Sequence, residues 1–404
     1  MPKLSIPKSG GSFSARTGSY EVGNQGEGSF GVPLGIPNAR GVKPSLHLSY
    51  NSGSGMEVFG LGFNLTLPHI TRNLDYGVPN YDNDDTFTAS ELGELLEIKR
   101  ETVGKTLVVS YMPSIESGFS KIKQLLATDH SSYWEITNHA GTVHIYGKDD
   151  NDKIIDPNAK QRILQWNISS SRDVKGNNIL YHYKREDSVG VDKTLPSEKN
   201  RVVGANVYPA SIEYGNWRET STKEDSYTYK VVFDYGEYDL SHPESAPKKW
   251  TLRSDPFSHY SAGFERRCYR LCQNILIYHQ FPTENEGQPF LNHSYSFTYQ
   301  TEKLAGFSQL VSYYQTGYRK ENNAYQTQKL PATTFDYVEH NFSVNDYKDI
   351  ALPNHLSMLE GGHNFEFIDL KGNGIPGVVY KDEGNFLYAQ PLGDGKYKKL
   401  PSSL

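Results

Sequence analysis

The sequence predicts an all-β protein, and three observations carry that prediction. Gly and Pro, the two residues worst suited to a helix interior, number 36 and 21 among 404 residues. The aromatic residues are dominated by 29 Tyr, against 18 Phe, 4 Trp and only 4 Met, a bias towards strand formers. Short runs of alternating apolar residues also recur between Gly- and Asn-containing turns. Together these imply a large, irregular, multi-stranded β-domain. Its core is expected to draw on Tyr at strand positions, where the ring packs and the hydroxyl reaches water.

The first 55 residues contain 21 Gly or Ser, yet they do not read as a plain linker. Phe30-Gly31-Val32-Pro33-Leu34 and the alternating Leu46, Leu48, Tyr50 suit extended strands between tight turns. Arg40-Gly41 and the Asn51–Gly55 turn mark sharp reversals. Gly53 and Gly55 are expected at positive φ, where Val would impair folding. Downstream, 133–136 and 142–146 flank Asn138–Gly141 as a hairpin. Residues 163–170 and 178–183 flank Asp173–Asn177 as another. Tyr227, Tyr229, Val231, Phe233 and Tyr235 alternate along one strand, and Leu291, His293, Tyr295, Phe297 and Tyr299 along a second. Segment 263–279 fits two templates. Phe264, Cys268, Leu271, Cys272, Ile275 and Leu276 have helical spacing, whereas Ile275-Leu276-Ile277-Tyr278 is strand-like, and a long strand is the preferred reading.

The charge pattern narrows the functional classes. The 41 basic and 47 acidic residues leave a net charge of −6, spread without long blocks of one sign. That leaves no basic footprint for nucleic acid or an anionic membrane as primary partner. No apolar run approaches the length of a membrane-spanning helix. Met1-Pro2-Lys3-Leu4-Ser5-Ile6-Pro7 lacks the apolar stretch of a Sec signal peptide, so secretion would use another route from the bacterial cytoplasm. Cys268 and Cys272 lie too far apart on a strand for a disulfide and read as buried thiols.

Several motifs suggest chemistry and have simpler explanations. Gly26–Gly31 and Gly372–Gly377 both match GxGxxG, but Pro33, Pro37 and Pro376 prevent the helix that a dinucleotide loop needs, so both read as turns. Asp369-Leu370-Lys371-Gly372-Asn373-Gly374 has the outline of a calcium loop. Lys371 stands where an acid would sit, which favours a metal-free turn. Asp82, Asp84 and Asp85 read as solvated Asx-turn residues. Glu284-Asn285-Glu286 is a formal ExE in a Gly/Pro/Gln-rich loop, with no transferase strand upstream. HExxH and GxSxG motifs are absent. The sequence therefore offers no catalytic, cofactor-binding or metal-ligating residues, no cofactor and no enzyme activity.

Longer blocks carry a resemblance. Ile6-Pro7-Lys8-Ser9-Gly10-Gly11, Val32–Pro37, Arg40–Leu46, Leu48–Gly55, Phe59-Gly60-Leu61-Gly62-Phe63 and Gly77–Phe87 together resemble the SpvB-type N-terminal domain of Tc (toxin complex) B components, the TcaC-like proteins. Phe63 replaces the family's usual Trp. Val232–Glu237, Asp255–Ser258, Gly263–Arg267, Arg270–Cys272 and Tyr278–Pro282 agree in the same order. Gly176–Tyr183 looks like one unit of the RHS/YD type. Phe367–Gly377 resembles the first FG-GAP/VCBS repeat of a propeller, which implies an SpvB-type domain over 1–340 and an incomplete propeller blade over 341–404. The resemblance implies a fragment or short relative of a longer protein. The role it implies is a non-catalytic part of an insecticidal, secreted toxin complex. The partners it implies are an RHS-repeat C component, whose toxic C-terminal region is the polypeptide cargo inside a shared β-shell, and a pore-forming A component. The alternative is the secretion or binding module of an SpvB-like toxin whose ADP-ribosyltransferase lies elsewhere.

Overall fold

A computed structural model gives the structure over residues 20–22, 27–116, 118–128, 131–217, 226–281, 288–303, 306–321, 324–337, 365–372, 374–382, 384–393 and 396–400. Apart from one 3-10 turn at Asp150–Asp152, the regular elements among these residues are strands, as the composition predicts. The chain forms two compact units, residues 1–336 and 337–404. The block at Ile6–Gly11 and the expected boundary at 340/341 fall outside the described residues.

The largest sheet closes into a barrel. The closing circuit passes through His69–Arg72, Phe87–Ala89, Gly93–Val103, Thr106–Pro113, Lys121–Leu126, Ser132–Thr137, Val143–Tyr146 and Ala159–Arg172, and back to His69–Arg72. Each neighbouring pair is antiparallel. A circuit of about eight strands is just wide enough for side chains to fill it. Residues directly opposite one another share a face, so the registers identify the lining. Trp166 faces Ile70, Ile70 faces Ala89, Arg72 faces Phe87, and Phe87 faces Leu95. Tyr111, Ile122 and Ile136 form a second row, and Gln124, Trp134, Tyr146 and Ile168 a third.

Trp134 and Trp166 are almost completely buried. Their ring centroids lie 5.9 Å apart, and Phe87 sits 4.9 Å from Trp134 and 5.8 Å from Trp166. The Arg72 guanidinium stacks over Phe87 and Trp166. It also pairs with Asp85 at 2.6 Å and donates from Nε to the Ile163 carbonyl at 2.9 Å. Asp85 accepts in addition from the backbone of Asn80 and Tyr81. The acid cluster therefore divides. Asp82 forms the expected Asx turn with the Asp84 amide, whereas Asp85 is the counter-ion of a buried arginine rather than a solvated residue.

Ala159–Arg172 also carries the same sheet onward beyond this circuit. On one edge it pairs with both Val143–Tyr146 and Lys153–Asp156; on the other it pairs with His69–Arg72 and, further along, Asn178–Arg185. From there an antiparallel meander runs through Val207–Trp217, Ser226–Asp234, Asn274–His279, Phe290–Thr301 and Ser308–Glu321. Ala324–Lys329 and Thr333–Thr334 pair with the last of these. Both expected hairpins are present. Segment 263–279 holds two strands, Arg266–Cys268 and Asn274–His279, with neither a helix nor one long strand. Cys268 and Cys272 are free and buried.

A small sheet of Tyr20–Val22, Gly28–Pro33, His47–Asn51 and Phe63–Asn64 is attached through aromatic contacts. Phe335 stacks on Phe30 at 5.4 Å and lies 5.0 Å from Phe63. Residues 28–31 of the first GxGxxG match are thus strand rather than turn. Gly53 and Gly55 do not take positive φ, contrary to expectation; Gly60 and Gly62 do, at 89° and 78°. A Cβ on Gly60 would meet the Ser308 carbonyl oxygen at 2.6 Å, and one on Gly62 the Asn51 carbonyl oxygen at 3.0 Å, whereas one on Gly55 meets nothing within 4 Å. The expected turn at Asn51–Gly55 does form, closed by the Ser54 amide on the Asn51 carbonyl at 3.0 Å, but the positive φ lies further on, at 60 and 62.

The second unit is a four-stranded antiparallel meander of Phe365–Ile368, Gly377–Asp382, Asn385–Gly393 and Lys396–Leu400. Val378, Tyr380, Leu387 and Ala389 form its core.

Thermal unfolding should separate the two glycine sites. Gly60→Val and Gly62→Val are each expected to cost more than about 2 kcal/mol, from backbone strain plus collision. Gly55→Val should melt within a degree or two of the parent.

Candidate functional site

The densest polar constellation lies where the loops after Asn178–Arg185 and Ser226–Asp234 meet the Arg266–Cys268 strand. Arg270, fully buried, binds Glu186 through two nitrogens, at 2.6 and 3.1 Å. It donates to the Val189 carbonyl at 3.0 Å and stacks 4.1 Å from the Trp250 ring centroid. Tyr208 donates to the other side of Glu186 at 2.9 Å. Glu198 accepts from Arg267 at 2.6 Å and from the Tyr269 hydroxyl. Arg253 takes Asp255 at 2.9 and 3.2 Å and also holds the Glu57 carbonyl at 3.0 Å. Asp255 in turn accepts from the Ser308 amide and hydroxyl.

This set joins chemistry-bearing residues, but its geometry is that of a clamp. A general base needs a free lone pair facing a reactant. Here the Glu186, Glu198 and Asp255 carboxylates are occupied by guanidinium, phenol and backbone donors. Burial pulls the Asp255 carboxyl up, but the hydrogen bonds from Arg253 and Ser308 outweigh it and leave the group below its ordinary value. Burial pushes the Cys268 and Cys272 thiols up, which disfavours the thiolate needed for nucleophilic attack. Asp234 is similarly committed. One of its oxygens accepts from the amides of Gly236, Glu237 and Tyr238, and the other from the Asn274 side chain at 2.7 Å. Asp234, between Phe233 and Tyr235, is therefore a strand-end cap.

The remaining motif residues stand apart from this clamp. Asp369 accepts from the backbone amides of Lys371 and Gly374, and the Lys371 ammonium donates to the Gln390 side chain. The aspartate thus closes its own turn. Among the described residues, no group of three or more His, Cys, Asp and Glu is placed to hold a metal ion. Glu284–Glu286 lies outside the described residues. The clamp itself was missed from sequence. Its signal was the run Arg266, Arg267, Arg270 among buried thiols, with acids at 186 and 198 that no local spacing connects to it.

Five histidines share one electrostatic trend. Burial is the leading cause lowering His69, His144, His259, His279 and His293. For His279 the value falls to about 4. Its ring lies against Tyr229, Phe281 and Phe290, and its Nε2 has no hydrogen-bond partner among the described residues.

With this geometry in place, comparison with known proteins is informative. A family profile described as Salmonella virulence plasmid 65kDa B protein matches residues 22–281. The chain belongs to the SpvB family. The match takes in the barrel, the shared strand and the arginine clamp. The mono(ADP-ribosyl)transferase SpvB of Salmonella choleraesuis is 30% identical over 313 residues, covering 69% of this chain and 51% of that relative. The chain thus matches about half the length of its SpvB relatives. The solved N-terminal domain of the effector SpvB from Salmonella typhimurium strain LT2 aligns over 72% of this chain and 98% of its own, with 28% identity and a TM-score of 0.65. The TcdB2–TccC3 structure aligns over 100% of this chain and 21% of its own, with 28% identity and a TM-score of 0.82. The Photorhabdus luminescens Tc holotoxin pore aligns over 100% of this chain and 20% of its own, at a TM-score of 0.80. The SpvB-type, Tc B-component resemblance read from the sequence holds, as does the all-β fold. Among the described residues no helix is long and apolar enough to cross a membrane.

Two outcomes follow. Arg270→Met leaves Glu186 buried without its ion partner and should cost about 3–5 kcal/mol in denaturant unfolding, with Glu186→Gln added to it recovering part of the loss. Below pH 6.5 the unfolded chain protonates its histidines while folded His279 stays neutral down to about pH 4. Stability should therefore fall as pH drops through that window, and His279→Phe should flatten the slope measured between pH 7 and 5.

Proposed function

We propose that this chain is a non-catalytic wall section of a bacterial Tc-type toxin complex. In this reading it contributes β-surface to a shell formed with an RHS-repeat C component, around the toxic C-terminal region of that partner. The pore-forming A component receives the loaded shell. The complex acts outside the producing bacterium, on an insect host. Residues 1–340 form the SpvB-type wall, and 341–404 form the start of an FG-GAP/VCBS propeller.

The observation that carries this reading is the alignment of the whole chain with the TcdB2–TccC3 structure, second unit included. The saturated carboxylates of the clamp support it, because they fix loops and leave no acid or base facing a reactant. A second reading has its own observation. The near-complete coverage of the SpvB N-terminal domain fits a secretion or binding module for a transferase carried elsewhere.

Two measurements test these readings. Incubated with labelled NAD and host-cell lysate, the purified chain should transfer no ADP-ribose; transfer would refute the non-catalytic assignment. Co-expressed with an RHS-repeat C component, it should co-elute with that partner on size exclusion. Failure to associate, together with normal folding, would leave the module reading in its place.

A further inference from the structure

A cavity of about 300 Å³ lies beside the clamp, with walls that include Phe59, His69, Phe233, Tyr235, Glu57 and Arg266. It would hold about ten waters or one small organic molecule. Its polar groups differ from those of the clamp. Arg253, Arg267 and Arg270 each hold a carboxylate within 2.9 Å. Arg266 has no such partner among the described residues, and its Nε makes no hydrogen bond. It is held in place by the hairpin of Phe257–His259 with Arg266–Cys268, in which it stands opposite His259.

Glu57 is the complementary group. It is electrostatically coupled to Arg266, and burial raises its carboxyl above the ordinary value, yet no ion pair within 4.0 Å joins the two among the described residues. Burial likewise lowers the Arg266 guanidinium, with Glu57 as the largest opposing influence. His69, also in the lining, is fixed through Nδ1 on the Leu67 carbonyl at 3.0 Å. Phe59, Phe233, Tyr235 and Phe257 supply apolar wall. A cation and an acid that line one cavity together with aromatic side chains, and form no ion pair with each other, match a molecule that carries both charges on one carbon.

We propose that this cavity binds a small zwitterion, an α-amino acid with an apolar side chain. Its carboxylate engages Arg266, its ammonium engages Glu57, and its side chain lies on the aromatic wall. The inference is independent of the shell role, since neither partner nor cargo enters it.

The test uses the whole chain, with calorimetry and thermal melting in millimolar L-phenylalanine and L-leucine. N-acetyl-L-phenylalanine and phenethylamine, which lack the ammonium and the carboxylate respectively, serve as probes of each contact. The expected result is saturable binding of at least one amino acid with a raised melting temperature, and binding of both blocked analogues weaker by about tenfold or more. Arg266→Gln should weaken the amino acid by a similar factor and Glu57→Gln should do the same, while circular dichroism stays that of the parent. If Arg266→Gln does not fold, Glu57→Gln and the analogue series on the parent decide the matter. No binding, binding indifferent to the blocked groups, or binding unchanged in the folded variants would each overturn the proposal and leave a hydrated cavity.

Discussion

The structure depends on the hydrogen-bonding capacity of one strand, Ala159–Arg172. A strand has two edges and normally serves two neighbours. This one serves four, in different stretches of its length. One stretch closes the barrel and another starts the meander, so the two architectures share a backbone rather than meeting across a side-chain interface. Trp166 and Ile168 fill the barrel by ordinary alternation, and a bulge at Ser169 in the pairing with Val143–Tyr146 then precedes Ser170–Arg172, the residues that pair with Asn178–Arg185. Bulges bend a strand and increase its local twist, which suits a strand that exchanges one set of neighbours for another along its length.

The second constraint is that buried polar atoms need partners. A tyrosine-rich core brings a hydroxyl with every ring. Tyr214 donates to the Pro37 carbonyl, Tyr235 to Pro209, Tyr299 to Cys272 and Tyr81 to Ala262. Tyr214 and Tyr299 thereby tie their strands to segments outside the ladders, whereas Tyr235 reaches a residue of the Val207–Trp217 strand and Tyr81 joins two loops. The arginine clamp does the same at higher electrostatic stakes. Buried ion pairs add little net stability when compared with well-packed apolar side chains, yet they are costly to break. Their effect here is to specify which loop lies against which.

The sequence revealed the fold class and the hairpins because both are local. The 138–141 and 173–177 turns carry their own chemistry, and strand alternation needs only neighbours in sequence. Barrel closure was not legible, because it rests on Trp166 pairing with Ile70, a register set by distant strands. The same limit hid the clamp, since Glu186 and Arg270 are separated by 84 positions. Tyrosine hydroxyls were expected in water, and those of Tyr214, Tyr235 and Tyr299 instead reach main-chain carbonyls distant in sequence. The positive-φ glycines were placed at 53 and 55 from turn composition. The conformation sits at 60 and 62, where close contact with the backbone at Ser308 and Asn51 excludes a side chain.

The shared strand also limits how the gene can change. Inserting one codon within 159–172 would shift alternation in the barrel and in the meander together, and no single compensating change elsewhere could restore both. Length variation among homologues should therefore collect in connecting turns such as 173–177, leaving this strand at constant length even where its residues diverge.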